Sequence, residues 1–346
     1  MTAAHAQPPD TLLLNGKIIT VDADDRVAEA LAIHGGRILA VGSRADIEAL
    51  AGPDTHRIDL EGATATPGLL DAHLHLSSSG LVRLTQADLS FPLVKRIGDV
   101  VRLAAERADA AAPGAWVLGR GWDEGKLEER RYVLASDIDA ATGDHPAWLT
   151  HTMGHYGTAN SAALRLAGIT RDTPDPPGGT IDRDETGEPT GVLKETAMAL
   201  VTRHIPAPDA AAMRQAIRDM AGELNRECMT GAKDPGIGYS IGYSLEQALE
   251  TWNAYREVLA EGGLTVRVFA LWRSPDNLDD AERMIRRIAP FTHPRERSEG
   301  DRLISGGIKL FADGSGGART AWTWQDWNRE RTGLDEGNRG YPAIDA

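Results

Sequence analysis

The sequence predicts an α/β protein in which a small β-rich domain precedes a set of parallel βα units. Short apolar runs separated by turn residues dominate residues 1–66, as in the segment TLLLNGKIITV at 11–21. From residue 67 onward, apolar strand patterns alternate with helical patterns, and this alternation is typical of parallel sheets. The length of 346 residues corresponds to two domains, or to one large barrel with an attachment.

The first domain, residues 1–66, is predicted to be a small β-sandwich. Its apolar runs are broken by Asn15-Gly16 and by the turn at 34–37, and both are typical hairpin connections. One helical turn is expected at 46–50. The pattern changes at Pro67-Gly68, so we place the second domain at 67–346.

The second domain contains four recognisable βα units, which begin near residues 67, 229, 264 and 304. A long insertion, about 77–225, separates the first unit from the second. The other elements are predicted from periodicity: helices over 99–112, 207–228, 245–261 and 278–289, strands over 115–118, 229–234, 264–272 and 304–311, and a Pro/Gly-rich loop over 173–191. A closed (β/α)8 barrel needs eight units, so the sequence accounts for about the first four.

Composition and charge exclude several classes of function. The net charge of −14 argues against a nucleic-acid-binding protein and against a polybasic membrane anchor. The single cysteine, Cys228, excludes a disulfide framework and a cysteine-based zinc site. The N-terminal segment shows no signal-peptide pattern, and no apolar run approaches the ~20 residues that span a bilayer. We therefore expect a cytoplasmic protein with a small-molecule substrate.

The strongest chemical signal is the segment LLDAHLHL at 69–76. Its alternation predicts a strand with leucines on one face and with Asp71, His73 and His75 on the other. Two histidines at i and i+2 of a strand share a face within reach of one ion, and neutral imidazole is a good zinc ligand. The alternative is a pair of histidines on an exposed strand face; the preceding Pro-Gly and β domain favour the metal site.

The second signal is Lys309, in the predicted strand GGIKLFADG. Ile308 and Leu310 are expected to face the surrounding helices, which turns Lys309 toward the interior. A buried, unpaired ammonium is costly, whereas a neutral amine can add carbon dioxide to form a carbamate that bridges two metal ions. In the alternative, Lys309 extends to the end of the strand and pairs with Asp313.

Softer candidates for the substrate pocket lie in the insertion. Trp122, Asp123 and Glu124 stand at a glycine-rich strand end, GRGWDE, although the tryptophan could be packing and the acids solvated. His155 precedes Asn160, which is equally suited to capping the helix that begins at NSAAL.

Two further positions are also assigned to substrate binding. Glu195, in TGVLKE, could face the site or could be an acid in the first turn of a helix. Asp313 follows the strand that carries Lys309.

Seven segments together resemble the metal-dependent amidohydrolase superfamily, and within it the amidohydrolase-3 branch of N-substituted formamide deformylase-like proteins. They are NGKIITVD, GGRILAVG, TPGLLDAHLHL, GRGWDE, HYGTANSAAL, GEPTGVLKETA and IKLFADGSGGARTA. The resemblance implies a distorted (β/α)8 barrel, a small β-sandwich built from the chain termini, and a long insertion after the first barrel strand. It also implies that His73 and His75 bind the more buried metal and that Lys309 is the carboxylated bridging lysine.

The resemblance implies a hydrolase of non-peptide carbon–nitrogen bonds, amide or N-acyl/N-formyl, that uses a metal-bound hydroxide. One or two divalent ions, with zinc expected, would activate the water. The family's two further histidine ligands and its catalytic Asp have no counterpart, since the residues after Lys309 include no histidine. We therefore expect the N-terminal part of a longer enzyme: a fragment, a truncated product or half of a split protein. A catalytically inactive remnant, and a cyclic-amide hydrolase or deaminase, are the alternatives.

A barrel that stops after its fourth strand would have two open sheet edges with unpaired backbone groups. The 346-residue chain is therefore expected to be poorly soluble, homo-oligomeric through these edges or unstable, and to lack hydrolase activity without the missing C-terminal half. Size-exclusion chromatography combined with thermal unfolding tests this expectation. A monodisperse monomer that unfolds cooperatively with full metal occupancy would contradict it.

Overall fold

The computed structural model describes residues 7–177, 179–238, 244–274, 278–292, 302–313, 321–326 and 339. Helices and strands alternate along these residues, in agreement with the predicted α/β class, and the strands form four sheets within the described ranges. None of the helices in those ranges is both long enough and apolar enough to cross a bilayer.

Residues 11–65 form two small sheets and one short helix. The elements are β1 (Thr11–Leu14), β2 (Lys17–Ile19), β3 (Val27–Ala28), β4 (Ala30–His34), β5 (Arg37–Gly42), α1 (Arg44–Glu48), β6 (His56–Asp59) and β7 (Thr64–Ala65). The strand orders are β5-β4-β1-β6 and β3-β2-β7. Ser43 caps α1 by accepting a hydrogen bond from the backbone of Asp46, and Ile47 of this helix packs against buried Leu12.

Next come the first strand and helix of the second region, followed by the insertion with a sheet of its own. The elements are β8 (Leu69–Asp71), α2 (Leu76–Thr85), β9 (Ala87–Asp88), α3 (Ile97–Ala110), β10 (Val117–Trp122), α4 (Ala135–Thr142), β11 (Ala147–His151), β12 (Tyr156–Ala159), α5 (Ser161–Ala167), β13 (Gly179–Arg183), β14 (Pro189–Glu195), a 3-10 turn (Thr196–Met198) and α6 (Ala199–Thr202). The inserted sheet has the order β13-β14-β12-β11-β10-β9. Asn160 caps α5 as the sequence suggests, and its buried amide also bonds to Thr142 and to the backbone of Ala147.

The remaining elements return to the sheet that β8 begins. They are α7 (Ala210–Arg226), β15 (Met229–Ile237), α8 (Leu245–Ala260), β16 (Arg267–Arg273), α9 (Leu278–Ile288), a 3-10 turn (Ala289–Phe291) and β17 (Leu303–Lys309). The sheet order is β17-β16-β15-β8, and every neighbouring pair is parallel. The four strands therefore lie side by side in chain order, as the alternation of strands and helices predicts.

The strand predicted over 69–76 is much shorter than its alternating pattern indicates. β8 ends at Asp71, whose side chain accepts a hydrogen bond from the backbone N–H of His73 at 2.9 Å. This turn takes the chain out of the extended conformation, because an aspartate side chain can compete with strand pairing for a nearby N–H. His73 and His75 consequently lie beyond the strand, in the connection that leads to α2.

The predicted inward and outward faces of two strands also need correction. Leu70, expected to pack against helices, is 67% exposed, and Ile308 and Leu310 are exposed as well. Leu70 lies on β8, Ile308 lies on β17 and Leu310 follows β17 directly. These two strands are the outer members of the four-stranded parallel sheet, so each is paired on one side only within the described residues.

The Pro/Gly-rich loop predicted over 173–191 contains most of a hairpin. β13 and β14 pair antiparallel, with Ile181 opposite Leu193, and the turn between them is closed by the side chain of Asp184. Gly187 adopts a φ of 87°, a conformation that glycine tolerates well. The turn residues therefore mark the middle of a hairpin rather than a continuous loop.

The largest core lies between the parallel sheet and helices α2, α7 and α8. Gly80 on α2 allows the backbones of α2 and α7 to approach closely. A Cβ at this position would lie 2.5 Å from the carbonyl oxygen of Ala216 and 2.6 Å from Cγ of Met220. The packing of α2 on α7 therefore requires glycine at position 80, although alanine is the better helix former.

Replacing Gly80 with alanine is expected to destabilise the protein by about 1–3 kcal/mol, because the methyl group would overpack the contact between α2 and α7. The matched control is Gly98→Ala in α3, where a Cβ meets no described atom within 4 Å. This control is expected to be stabilising by about 0.5–1 kcal/mol through helix propensity. Urea unfolding measures both, and equal effects at the two glycines would contradict the packing argument.

Candidate active site

Two imidazole rings lie at the carboxyl end of β8. His73 follows the turn at Asp71, and His75 is the residue immediately before α2. The ring centroids are 5.4 Å apart with the planes at 79°. The connection is also held to the neighbouring strand, since the N–H of Leu74 donates to the carbonyl of Lys233 at 2.9 Å. The predicted metal ligands are thus neighbours on one ordered turn.

The electrostatic surroundings keep His75 neutral. Partial burial lowers the pKa of this imidazole, and the nearby His73 and Lys309 lower it further, while Asp234 opposes the shift. A neutral imidazole retains a lone pair for a metal ion. Lys309, at the end of β17, is therefore one of the charged groups that act on His75.

A buried carboxylate stands behind this turn. Asp234 on β15 has no exposed surface, and one of its oxygens accepts hydrogen bonds from the backbone N–H and hydroxyl of Ser77 at 3.1 and 2.8 Å, and from the hydroxyl of Tyr255 at 2.7 Å. Its other oxygen, Oδ1, has no hydrogen-bond partner among the described residues. Burial raises the pKa of Asp234, and the three donors act in the opposite direction. The carboxylate therefore ties the first turn of α2 to β15 and α8.

Lys309 is the last residue of β17, and its ammonium lies 4.8 Å from the ring centroid of Phe311. Asp313 accepts a hydrogen bond from the backbone N–H of Trp322 at 3.0 Å. Across the described part of the chain, Lys309 and Asp313 form no ion pair, so the alternative interpretation of Lys309 is not realised. Residues 314–320, the glycine-rich part of that motif, lie outside the described residues.

A second polar cluster occupies the carboxyl ends of β10 and β11. The hydroxyl of Tyr156 donates to the carboxylate of Glu124 at 2.8 Å and lies 2.9 Å from Nε2 of His151. Burial, reinforced by Glu124, raises the pKa of Tyr156, so its hydroxyl stays protonated. Nδ1 of His151 accepts from the N–H of Met153 at 3.1 Å, which assigns the ring proton to Nε2.

Ligand atoms of Asp123, Glu124 and His151 all lie within 4.8 Å of one another, a span that one cation could bridge. Both ring nitrogens of His151 are nevertheless engaged by protein groups, which suits a hydrogen-bonded network. Trp122 has no exposed surface; its indole N–H donates to the carbonyl of Leu149 at 3.0 Å, and its ring packs edge-on against His151. The buried indole of Trp122 therefore packs against the polar cluster and holds the ring of His151 in place.

The strand pairing brings together two candidates that are 40 positions apart. Nδ1 of His155 lies 3.1 Å from the carboxylate of Glu195, and the N–H of Glu195 donates to the carbonyl of His155 at 2.8 Å. Glu195 ends β14, so it is not an acid in the first turn of an α-helix. Its φ of 50° is unfavourable for a non-glycine residue, and such strain is concentrated at functional sites.

A cavity of about 700 Å³ opens on His75, between α2 and the inserted sheet. Its far wall includes Asp88, Arg120 and Thr152, at the carboxyl ends of β9, β10 and β11. Of the sequence-predicted site residues in the described ranges, His75 alone lines it. The cavity is within the usual size range of small-molecule sites.

Comparisons with known proteins identify the family to which the chain belongs. The model of the Amidohydrolase family matches residues 57–337, so the chain belongs to the amidohydrolase family. This match confirms the resemblance to the amidohydrolase-3 branch that the motifs indicate.

The chain is 32% identical to YtcJ of Bacillus subtilis over 88% of its own length and 54% of that protein. It is 36% identical to the N-substituted formamide deformylase of Arthrobacter pascens over 56% of its own length and 36% of that enzyme. Thus it spans about a third to a half of these relatives. The crystal structure of an uncharacterized metal-dependent hydrolase from Pyrococcus horikoshii shares the fold, with a TM-score of 0.69 and 22% identity over 97% of this chain and 60% of that one.

Sequence reasoning missed Asp234, Arg120 and Tyr156. A signal existed for Asp234, because a carboxylate in an apolar parallel strand is rarely buried unless it binds a partner group. Arg120 had a comparable signal, as a cation between two glycines at a strand end. For Tyr156, one position after His155, no pattern indicated that it meets Glu124 rather than the core.

The pH dependence of stability is expected to reflect His151. Burial lowers the pKa of this imidazole, with Glu124 and Asp123 opposing the shift. As the pH falls through about 6.5, His151 is therefore protonated in the unfolded chain before it is protonated in the folded protein. The free energy of unfolding decreases toward acid pH as a result. Urea unfolding at pH 7.5 and 5.5 should show this decrease in the wild type.

The decrease should be smaller in His151→Gln and unchanged in His56→Asn, whose side chain is exposed on β6. His75 contributes in the same direction, so part of the decrease remains in His151→Gln. An identical pH dependence in wild type and His151→Gln would contradict the assignment of a neutral, buried imidazole.

Proposed function

We propose that the protein is a cytoplasmic, metal-dependent hydrolase of the amide, N-acyl or N-formyl carbon–nitrogen bond of a small molecule. In this proposal, β8, β15, β16 and β17 are the first four strands of a (β/α)8 barrel, and the metal site lies at their carboxyl ends. The observation that carries the proposal is the pair of imidazoles of His73 and His75, which lie at the end of the first strand and within the electrostatic influence of Lys309.

The side chains at this site suit a divalent cation. His75 is held neutral, as ligation requires, and zinc prefers nitrogen donors of this kind. Oδ1 of buried Asp234 has no hydrogen-bond partner among the described residues and would be a further oxygen ligand atom near His75. When bound, a divalent metal would polarise the substrate carbonyl and acidify a water molecule.

The residues around the ligands have separate positioning roles. Asp71 orients the backbone at His73, and Asp234 fixes the start of α2 just after His75. Lys309, if carboxylated, would offer two oxygens to one or two ions, which suits its place at the end of β17 in the same parallel sheet as β8. His155 and Glu195 are proposed to contact the substrate, as the strained backbone of Glu195 supports.

The similarity to N-substituted formamide deformylase favours an amide or formamide substrate. The test is amine release from a panel of N-alkylformamides and N-acetylamines by the zinc-loaded chain. The His73→Asn/His75→Asn double variant serves as the blank. Amine release above this blank would support the proposal and contradict the inactivity that the sequence predicts for the chain on its own. Release from no panel member would contradict the proposal for this chain.

Zinc binding is expected to depend on the paired imidazoles. His73→Asn/His75→Asn should weaken zinc binding at least about 100-fold, because removing a ligand costs at least as much as removing its supporting partner. Lys309→Met should lower the stoichiometry if the lysine joins two ions. Titration calorimetry and metal analysis by mass spectrometry measure both quantities.

The matched control is His56→Asn, which removes an exposed imidazole on β6 and should bind zinc as the wild type does. Unchanged zinc affinity in the double variant would rule out the proposed metal centre. Unchanged stoichiometry in Lys309→Met would rule out the bridging role alone.

A further inference from the structure

The cavity beside His75 is bordered by more positive than negative charge. Its lining residues include three arginines, Arg83, Arg107 and Arg120, and a single acidic residue, Asp88. One oxygen of Asp88 is engaged by the N–H and hydroxyl of Ser90 at 3.0 and 2.5 Å. The cavity is therefore suited to a ligand that carries negative charge, in a protein whose net charge is −14.

Two of the three arginines are already committed to protein partners. Arg83 forms an ion pair with Glu223 at 3.4 Å. Arg107 donates to the backbone carbonyls of Leu84 and Gln86, at 3.4 and 2.6 Å. Their head groups have structural roles, so neither is the primary choice for a ligand.

Arg120 differs, because within the described residues its guanidinium has no hydrogen-bond or ion-pair partner. Its side chain is half-buried rather than extended into solvent. Asp88 is its register partner on β9, yet the two side chains form no ion pair among the described residues. A partly desolvated guanidinium with five free donors is a favourable place for an anionic ligand group.

The backbone of Arg120 is held rigidly. Its register partner on β11 is Thr150, and its carbonyl accepts from the N–H of Leu89 at 2.8 Å. One guanidinium nitrogen lies 3.6 Å from the position of a Cβ at Gly154, in the turn that leads to His155. The guanidinium thus lies next to the turn of a proposed substrate-contact residue, on the wall opposite α2.

We infer that Arg120 binds a carboxylate group of the substrate, and that the substrate class is therefore N-acyl or N-formyl amino acids rather than neutral amides. The inference rests on the proposed function, because it places the scissile amide near His75 and the carboxylate at the far wall of the same cavity. Guanidinium and carboxylate match in planar, bidentate geometry, which lysine and glutamine cannot reproduce.

The test compares binding of N-acetylglycine and of its neutral analogue N-acetylglycinamide by ligand-observed NMR titration. The wild type is expected to prefer the carboxylate about tenfold or more, the effect of one charge-assisted hydrogen-bond pair. Arg120→Gln should abolish this preference and leave the affinity for the neutral amide unchanged. Arg120→Lys keeps the charge and should retain part of the preference, which guards against a folding defect in the glutamine variant.

The control is Arg256→Gln on α8, which removes another arginine without a described partner but lies outside this cavity; it should bind both ligands as the wild type does. Equal binding of the two ligands by the wild type, or a preference that survives in Arg120→Gln, would overturn the inference. The assignment to a carboxylate would also be overturned if inorganic phosphate displaced N-acetylglycine more strongly than free glycine does.

The inference and the proposed function fail separately. The carboxylate preference belongs to Arg120, so it should persist in chelator-treated protein and in the His73→Asn/His75→Asn variant. If zinc does not bind while the preference remains, the proposed metal function fails and the assignment of Arg120 stands. If zinc binds through the histidines while the preference is absent, the assignment of Arg120 fails alone.

Discussion

The buried carboxylate of Asp234 is the interaction on which the geometry of the candidate centre depends. An isolated carboxylate in the interior is costly unless donors replace its water. Ser77 and Tyr255 supply three such donors, from α2 and α8, to a side chain that belongs to β15. Since Ser77 follows His75 by two positions, the same hydrogen bonds that satisfy the carboxylate also fix the turn that carries the imidazoles. Networks of this kind strengthen cooperatively in a low-dielectric interior.

The inserted sheet gives the centre its second wall. His75 and residues of α2 face one side of the cavity, and the ends of β9, β10 and β11 face the other. The inserted sheet is itself held by buried polar groups: Asn160 joins α4, β11 and α5, and the Tyr156–Glu124–His151 network closes the ends of β10 and β11. Because these groups are satisfied internally, Arg120 lies in this wall without a competing partner among the described residues.

The sequence predicted the parallel strands and their order well, because alternation of apolar strands and amphipathic helices is a long-range pattern. It placed the histidines correctly at the end of the first strand but on the wrong kind of element. The period-2 pattern of LLDAHLHL persists through His75, whereas Asp71 turns the chain after three strand residues. Side-chain capping of a nearby N–H leaves no trace in hydrophobic periodicity, so the strand could not have been shortened from the pattern alone. The hairpin within 173–191 was missed for the related reason that turn residues outnumber its β-forming residues.

The candidate site was predictable where a motif concentrates its residues and unpredictable where the fold assembles them. His73 and His75 are two positions apart, so spacing alone indicated a shared ligand. His155 and Glu195 were each identified, but their contact depends on the antiparallel pairing of β12 with β14, in which Tyr156 lies opposite Lys194. Arg120 and His75 face each other only across the cavity between α2 and the inserted sheet. In both sheets the polar groups stand at the carboxyl ends of strands, where loops can vary without disturbing the core. This separation explains how one chain can keep a leucine- and alanine-rich interior while its strand ends carry imidazoles, carboxylates and a guanidinium that has no partner within the described part of the chain.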